Sequence, residues 1–149
     1  MSQYTVTRDY SYPRDEVWHV VTEPEYVAKW TTTGQGGRPE DFVPVAGQKF
    51  RLVGKPTIGW AGVVYCEVLE VFAPHSLRYS WKGDKDTDSV SIVDYTLAEI
   101  DGGTRFTIQH TGFTGVGGFL MSRLLGRVRR RMLTQGVPPV LAAYHASAR

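Results

Sequence analysis

The chain has 149 residues, of which 42% are hydrophobic and 21% are charged, and its formal net charge at pH 7 is +2. These values predict one globular domain over residues 1–149 and exclude an intrinsically disordered chain. The small net charge gives no general attraction to nucleic acid, so we expect no nucleic-acid partner. No apolar run approaches the length of a membrane-spanning helix, so we also expect no membrane span.

The N-terminus and the cysteine content favour a reducing compartment. The first residues, 1–5, have neither the basic start nor the apolar core of a secretory signal peptide. Cys66 is the single cysteine, so it cannot form an internal disulfide. We therefore expect a cytoplasmic protein.

The chain is predicted to begin with one strand and two short helices. Alternation of aromatic or aliphatic with polar side chains over residues 4–12 indicates a strand with one half-buried face. Pro13 and the acidic residues after it are typical of a helix start and predict a helix over 13–22. Pro24 begins a second short helix. The segment 31–47 is rich in glycine, proline and threonine and predicts a long loop.

The middle of the chain is predicted to be an antiparallel meander. Several stretches are rich in β-branched and aromatic residues, and clusters of glycine, proline or aspartate bound them. These stretches are residues 48–54, 60–72, 76–82, 89–100 and 104–111. Because the connections between them are short, neighbouring strands should pair antiparallel.

The C-terminal part is predicted to be a long helix with a break. Beyond Gly117 apolar side chains recur three or four residues apart on one face, and arginines occupy the other. Gly136 and the pair Pro138-Pro139 predict a break or kink near 135–138, since proline lacks the amide proton and clashes with the preceding turn. The expected inward face comprises Met121, Leu124, Leu125, Val128 and Met132, and the arginines expected on the opposite face are Arg123, Arg127, Arg130 and Arg131.

The order of the elements predicts an α+β fold with one meandering sheet. We expect the first strand to lie at a sheet edge or to close onto the last strands. If the long helix crosses the inner face of the sheet, one set of side chains is shielded and the alternate set is exposed. The expected shielded set is Trp81, Tyr95, Phe106, Ile108 and His110, and the expected exposed set is Arg78, Thr96, Arg105 and Gln109.

A series of short motifs, in this order and spacing, resembles a known superfamily. The motifs are Tyr12-Pro13-Arg14-Asp15-Glu16-Val17-Trp18, Trp30, Gly47-Gln48-Lys49-Phe50, Gly62-Val63-Val64, Glu67-Val68-Leu69-Glu70-Val71 with Pro74, Leu77-Arg78-Tyr79-Ser80-Trp81, Gly102-Gly103-Thr104-Arg105-Phe106 and His110-Thr111-Gly112-Phe113. They resemble the START-like, polyketide-cyclase-like (SRPBCC) superfamily. Within it they are most similar to the bacterial AHSA-type subgroup, which is named for homology to a domain of a heat-shock chaperone's ATPase activator. The resemblance implies the helix-grip fold, in which a curved antiparallel sheet of about six strands wraps on a long C-terminal helix around a mostly apolar cavity.

No group of side chains predicts catalysis or a metal site. The four histidines are scattered and lack the close spacing of metal ligands. We therefore expect no catalytic residue, no metal and no cofactor.

His110 is the one histidine whose position in the sequence suggests a functional role. It shares a strand face with Phe106 and Ile108, so that if these point inward the imidazole does too. Two interpretations stay open: a buried neutral histidine satisfied by a neighbouring group, or a residue that contacts a ligand or does acid/base work. Tyr95 and Trp81 are likewise either core residues or cavity residues that orient a ligand.

Three other features are interpreted as structural. Cys66 has no histidine or acid near it in sequence and is expected to be a buried, inert thiol. The arginines of 127–131 are expected to form a charged outer helix face rather than a site for phosphate or an acidic partner. The glycine-rich stretch 115–118 lacks the P-loop lysine and the Rossmann spacing, which favours a flexible hinge into the long helix.

The aromatic content favours a cavity. Four Trp, eight Tyr and six Phe exceed what one sheet and one helix readily pack without gaps. The leading hypothesis is therefore the binding of a hydrophobic small molecule, lipid-like, aromatic or polyketide-like, in an internal cavity. The alternatives are a cyclase- or hydrolase-type enzyme that uses the same cavity, and a protein-interaction module that stimulates a chaperone ATPase. The expected contact residues are Trp30, Phe50, Trp60, Val64, Cys66, Trp81, Tyr95, Phe106, Ile108, His110, Phe113, Met121, Leu125 and Val128.

Overall fold

The structure is a computed structural model that describes residues 1–33, 36–58 and 60–148. Its elements in chain order are β1 (Ser2–Tyr10), α1 (Arg14–Thr22), α2 (Pro24–Thr31), β2 (Arg38–Glu40), β3 (Lys49–Val53), β4 (Val63–Phe72), β5 (Ser76–Lys82), β6 (Ser91–Ile100), β7 (Gly103–Phe113), α3 (Gly115–Arg131), a π-helical segment (Met132–Gly136) and α4 (Val137–Ser147). This is the α+β order that the sequence predicts. None of the described helices is long and apolar enough to cross a membrane.

Within the described residues, seven strands form one antiparallel sheet in the order β1-β7-β6-β5-β4-β3-β2. β1 is an edge strand and pairs with β7, so the predicted position of the first strand is confirmed. The expectation of about six strands missed β2, which pairs with β3 through Arg38 opposite Val53. β2 is short and includes Pro39, so it shows no period-two pattern. Gly34 and Gln35, in the same predicted loop, lie outside the described residues.

The strand predicted over 60–72 begins instead at Val63. Gly62 has a φ of +85°, a left-handed conformation that suits glycine and interrupts regular pairing before the strand. Trp60 forms only an isolated bridge with Thr57. It is therefore a loop residue at the end of the sheet.

The inner face of the sheet is the one that the sequence predicts. Tyr95 on β6 lies opposite Ile108 on β7, and both side chains are buried. Burial of each such side chain contributes about 1.5–3 kcal/mol to stability. Of the expected shielded set only Trp81 is half-buried rather than buried, and of the expected exposed set only Gln109 is half-buried rather than exposed.

The two short helices close one part of the inner face. Trp30, at the end of α2, is fully buried, and its indole N–H donates to the carbonyl oxygen of Val20 in α1 at 2.9 Å. Its ring packs edge-on against Phe106, with centroids 6.4 Å apart. Trp30 thereby joins both helices to the sheet.

The break in the long helix occurs where the sequence predicts it, as a π-helical segment. The N–H of Val137 donates to the carbonyl of Met132, five residues back, which is the π pattern. Pro138 and Pro139 then occupy the first turn of α4, where their missing N–H groups are best tolerated. The chain therefore changes its helical pitch here instead of ending the helix.

The predicted inward face of the long helix is wrong at its first two positions, Met121 and Leu124. Met121 is 46% exposed and Leu124 48% exposed, whereas the buried residues of α3 are Ser122, Gly126 and Arg129. The buried face is rotated by about one residue, or roughly 100°, from the apolar stripe. Of that stripe, Leu125 and Val128 are half-buried and Met132 is buried.

A close approach between α3 and β1 explains this rotation. A Cβ atom built on Gly126 would lie 3.3 Å from the Cβ of Tyr4, so the glycine lets the helix approach the strand closely. The same packing brings Arg129 inside, where only 4% of it is exposed. The expectation that Arg129 lies on the outer face is therefore wrong, whereas the other four arginines of α3 are exposed.

Candidate ligand-binding site

His110 is fully buried and bonded at both ring nitrogens. Its Nε2 lies 2.7 Å from the hydroxyl of Ser91, and its Nδ1 lies 3.1 Å from the hydroxyl of Tyr4. Burial, aided by the nearby charge of Arg129, lowers the pKa of His110 to about 3. The imidazole is therefore neutral at neutral pH.

Arg129 is a buried cation among neutral side chains. Its Nη2 donates to the hydroxyl of Tyr79 at 2.5 Å, and its Nε donates to the hydroxyl of Tyr4 at 3.3 Å. Among the described residues, Nη1 reaches only the thioether sulfur of Met132, at 3.8 Å. In the part of the chain that the structure describes, no carboxylate forms an ion pair with Arg129.

The charge states around Arg129 follow from burial. Burial raises the pKa of Tyr79 well above its usual value, and it also raises that of Tyr4, so both hydroxyls are neutral at neutral pH. Burial disfavours the charge of Arg129, whereas Tyr79, Tyr95 and Tyr4 favour it, and Tyr79 and Tyr4 do so by accepting hydrogen bonds from the guanidinium. Arg129 thus stays charged.

These groups form one hydrogen-bonded series that crosses the interior, which we term the polar chain. Tyr79 and Tyr95 extend it, with hydroxyl oxygens 3.3 Å apart. The polar chain is Ser91 on β6, His110 on β7, Tyr4 on β1, Arg129 on α3, Tyr79 on β5 and Tyr95 on β6. In a low-dielectric interior such a series holds its members in fixed positions.

A pocket of about 260 Å³ opens beside the Ser91 end of the polar chain. Trp81 and Phe113 in its wall flank His110, with ring centroids 5.0 and 4.4 Å from the imidazole. We term it the Trp81 pocket; its lining residues are Trp81, Ser89, Val90, Ser91, Gly112, Phe113, Thr114, Gly117, Gly118 and Met121. His110 therefore lies behind the wall of the pocket and does not line it.

The mouth of the Trp81 pocket is apolar. Val90 and Met121 line the pocket and are also about half exposed. Further exposed apolar side chains on α3 are Val116, Phe119, Leu120 and Leu124. Of these exposed apolar side chains, Val90 and Met121 belong to the pocket lining, and the others lie outside it.

The structure brings together some of the predicted contact residues. Trp81, Phe113 and Met121 line the pocket, and His110 lies directly behind them. The others form or border the core: Trp30, Phe50, Val64, Cys66, Tyr95, Phe106 and Ile108 are buried, and Trp60, Leu125 and Val128 are half-buried. Trp60 lies at the end of the sheet, where its indole N–H donates to the carbonyl of Gly83 at 3.1 Å.

Cys66 fits the inert thiol that the sequence predicts. It is buried, and burial raises the pKa of its thiol to about 12, partly offset by the charge of Arg129. Because the thiolate is the reactive form, this side chain has little nucleophilic character at neutral pH.

Four members of the polar chain were missed by the sequence analysis. Tyr79 lies two residues before Trp81, and Tyr4 lies two residues before Val6, so in each strand the pair shares one face. This alternation could have placed both tyrosines inward. Ser91 gave no signal apart from its position at a strand start. Arg129 stands among other arginines, and nothing in the sequence sets it apart.

A second, larger pocket of about 550 Å³ lies at the opposite end of the sheet. Tyr12, Pro13 and Gly102 are among its lining residues, so turns form much of its wall. Its Arg14 already pairs with Glu99 at 3.0 Å. None of its lining residues belongs to the polar chain, so we take this groove as the weaker ligand site.

The fold places the protein in the START-like helix-grip (SRPBCC) class. The family model described as "Activator of Hsp90 ATPase homolog 1-like protein" matches residues 11–126. The match covers more than half of the chain, and the chain belongs to this AHSA-type family. Membership supports small-molecule binding or chaperone activation as a general role and specifies no ligand.

Solved structures from several organisms share the fold. A Mesorhizobium loti protein is 21% identical with a TM-score of 0.75, and the match covers 99% of each chain. A Nitrosomonas europaea protein is 21% identical with a TM-score of 0.74, covering 97% of this chain and 96% of the other. An HSP90 activator from Plasmodium falciparum is 18% identical with a TM-score of 0.67, covering 98% and 97%. No curated protein matches the chain in sequence.

Proposed function

We propose that the protein binds an apolar small molecule, lipid-like, aromatic or polyketide-like, in the Trp81 pocket. One observation carries this proposal: the pocket wall combines aromatic and aliphatic side chains with Ser91, whose hydroxyl bonds the buried His110. Apolar walls with a few convergent polar groups are the usual composition of a ligand site.

The volume of the Trp81 pocket limits the size of the ligand that it can bind without a conformational change of the protein. Ligand pockets usually measure about 300–1,000 Å³, so a volume of about 260 Å³ fits a small ligand or part of a larger one. A larger ligand needs α3 to shift, and both ends of α3 depart from regular helix. Gly115 has a φ of +69°, and the π-helical segment follows Arg131. These are the two points about which the helix would move.

The state of His110 favours binding over acid/base catalysis. With a pKa of about 3, the imidazole is a weak base at neutral pH, and hydroxyl groups occupy both of its nitrogens. In this proposal the imidazole orients Ser91, and the Ser91 hydroxyl contacts the ligand.

Variants at the mouth test the proposed pocket. Met121→Trp places a larger ring at a lining position, and Leu120→Trp places the same ring on the neighbouring, more exposed residue outside the lining. Binding of fatty acids, fatty alcohols, flavonoids and aromatic polyketides is measured by native mass spectrometry and by tryptophan fluorescence. We expect Met121→Trp to weaken binding at least tenfold and Leu120→Trp to bind like the wild type. Failure of the whole panel to bind, or equal binding by both variants, contradicts the proposal.

The family match also favours a second candidate, stimulation of a chaperone ATPase by surface contact. A pull-down with purified bacterial Hsp90, followed by an ATPase assay, tests it. If the chaperone is bound and stimulated equally by the wild type and by Met121→Trp, the contact is independent of the Trp81 pocket.

A further inference from the structure

The polar chain contains a positive charge that no group in the described protein neutralises. Arg129 is 96% buried, since 4% of it is exposed, and its partners are the hydroxyls of Tyr4 and Tyr79 and the sulfur of Met132. A buried charge without a counter-charge is strongly unfavourable, and proteins normally pair it. The buried, unpaired guanidinium of Arg129 therefore points to a negative charge that a bound molecule supplies.

The weakest hydrogen bond of the guanidinium is the one made by Nη1. Nε and Nη2 each donate to a hydroxyl oxygen, whereas Nη1 reaches only a thioether, which is a weak acceptor. The planar guanidinium matches a carboxylate, which accepts two parallel hydrogen bonds from it. A carboxylate oxygen beside Nη1 would replace the weak sulfur contact and supply the missing negative charge.

Arg129 lies behind one wall of the Trp81 pocket. Its guanidinium carbon lies 5.8 Å from the centroid of the Trp81 ring, and that ring forms part of the pocket wall. Tyr4 also links Arg129 to His110, directly behind the pocket. A ligand in the pocket therefore has one aromatic side chain between itself and the unpaired charge.

We propose that the ligand of the Trp81 pocket carries a carboxylate, and that this carboxylate pairs with the guanidinium of Arg129. The proposal rests on the proposed function, because it requires a ligand in that pocket. The apolar part of the ligand lies between Trp81, Phe113 and Met121, and its acidic end passes the Trp81 ring to reach Nη1. The ligand class is thus a small apolar carboxylic acid.

Matched acid and alcohol probes test this inference. Decanoic acid is compared with decanol, and naphthoic acid with naphthylmethanol, at pH 7, where carboxylates are ionised. We expect the wild type to bind each acid about tenfold or more tightly than its alcohol, the effect of a charge-assisted hydrogen bond. Arg129→Met should abolish this preference, so that the acid and its alcohol bind the variant with equal affinity. Arg130→Met, at an exposed position on the same helix, is the control and should keep the preference.

The outcomes separate the two proposals. If acids and alcohols bind the wild type equally, the pocket proposal stands and the role of Arg129 is refuted. If Arg129→Met keeps the preference for acids, the inference is also refuted. If neither kind of probe binds, the proposed function fails and the inference fails with it. Should Arg129→Met not fold, Arg129→Lys keeps the charge and should keep a reduced preference, and loss of all preference there contradicts the inference.

Discussion

Nη2 of Arg129 donates to the hydroxyl of Tyr79 across 2.5 Å, which ties α3 to β5 through the middle of the interior. Both residues are buried, so water cannot replace this hydroxyl if it is removed. This bond therefore stabilises the fold and also positions the guanidinium that we propose pairs with the ligand.

Tyr79→Phe removes the acceptor and leaves the buried Nη2 without its oxygen partner. We expect the free energy of unfolding to fall by about 1–3 kcal/mol or more, the cost of an unsatisfied buried donor on a charged group. Tyr95→Phe is the matched control, because its hydroxyl lies 3.3 Å from that of Tyr79 and does not bond Arg129 directly. Its cost should be about 1 kcal/mol. Urea unfolding measures the free energy of unfolding of both variants. Equal losses of free energy would show that the bond between Tyr79 and Arg129 stabilises the fold no more than the bond between Tyr79 and Tyr95.

The stability of the protein should depend on pH through His110. Burial lowers the folded-state pKa of His110 to about 3 from its ordinary value of 6.5. Between these values the unfolded chain binds a proton that the folded chain excludes, so stability is lost as the pH falls from 6.5 towards 3. The contribution approaches about 1.4 kcal/mol per pH unit in that window.

His110→Gln removes this titration and should flatten the dependence of unfolding free energy on pH in the same window. Chemical denaturation at a series of pH values provides the measurement. Identical slopes for the variant and the wild type would mean that folding does not lower the pKa of His110.

Two methionines on the long helix test the rotation of its buried face. Met132 is 4% exposed and Met121 is 46% exposed, although the sequence pattern places them on one stripe. We expect Met132→Ala to cost about 2–5 kcal/mol of unfolding free energy, and Met121→Ala less than about 1 kcal/mol. Similar costs for the two variants would favour the orientation that the apolar stripe predicts.

Strand periodicity predicted the sheet and its inner face because a long strand contains enough residues to show the alternation of its side chains. On β7 Phe106, Ile108 and His110 keep strict alternation, and the structure buries all three. β2 is too short to show a period. The pattern thus identifies long strands and misses short ones.

The helix was harder to orient from its sequence. Gly126 determines which face approaches β1, yet a single glycine carries no directional signal in a hydrophobic pattern. The partners of Arg129 are also remote in sequence, since Tyr79 is 50 residues away and Tyr4 is 125 residues away. The centre of the candidate site depends on tertiary packing that local patterns do not contain.

The three methionines allow one direct test of the site, through nuclear Overhauser effects between their labelled methyl groups and bound decanoic acid. Met121 lines the pocket, the sulfur of Met132 lies beside Arg129, and Met1 is 98% exposed and serves as the internal control. We predict contacts from decanoic acid to the methyl groups of Met121 and Met132 and none to Met1. Bound decanoic acid that contacts neither Met121 nor Met132 would contradict a ligand in the Trp81 pocket.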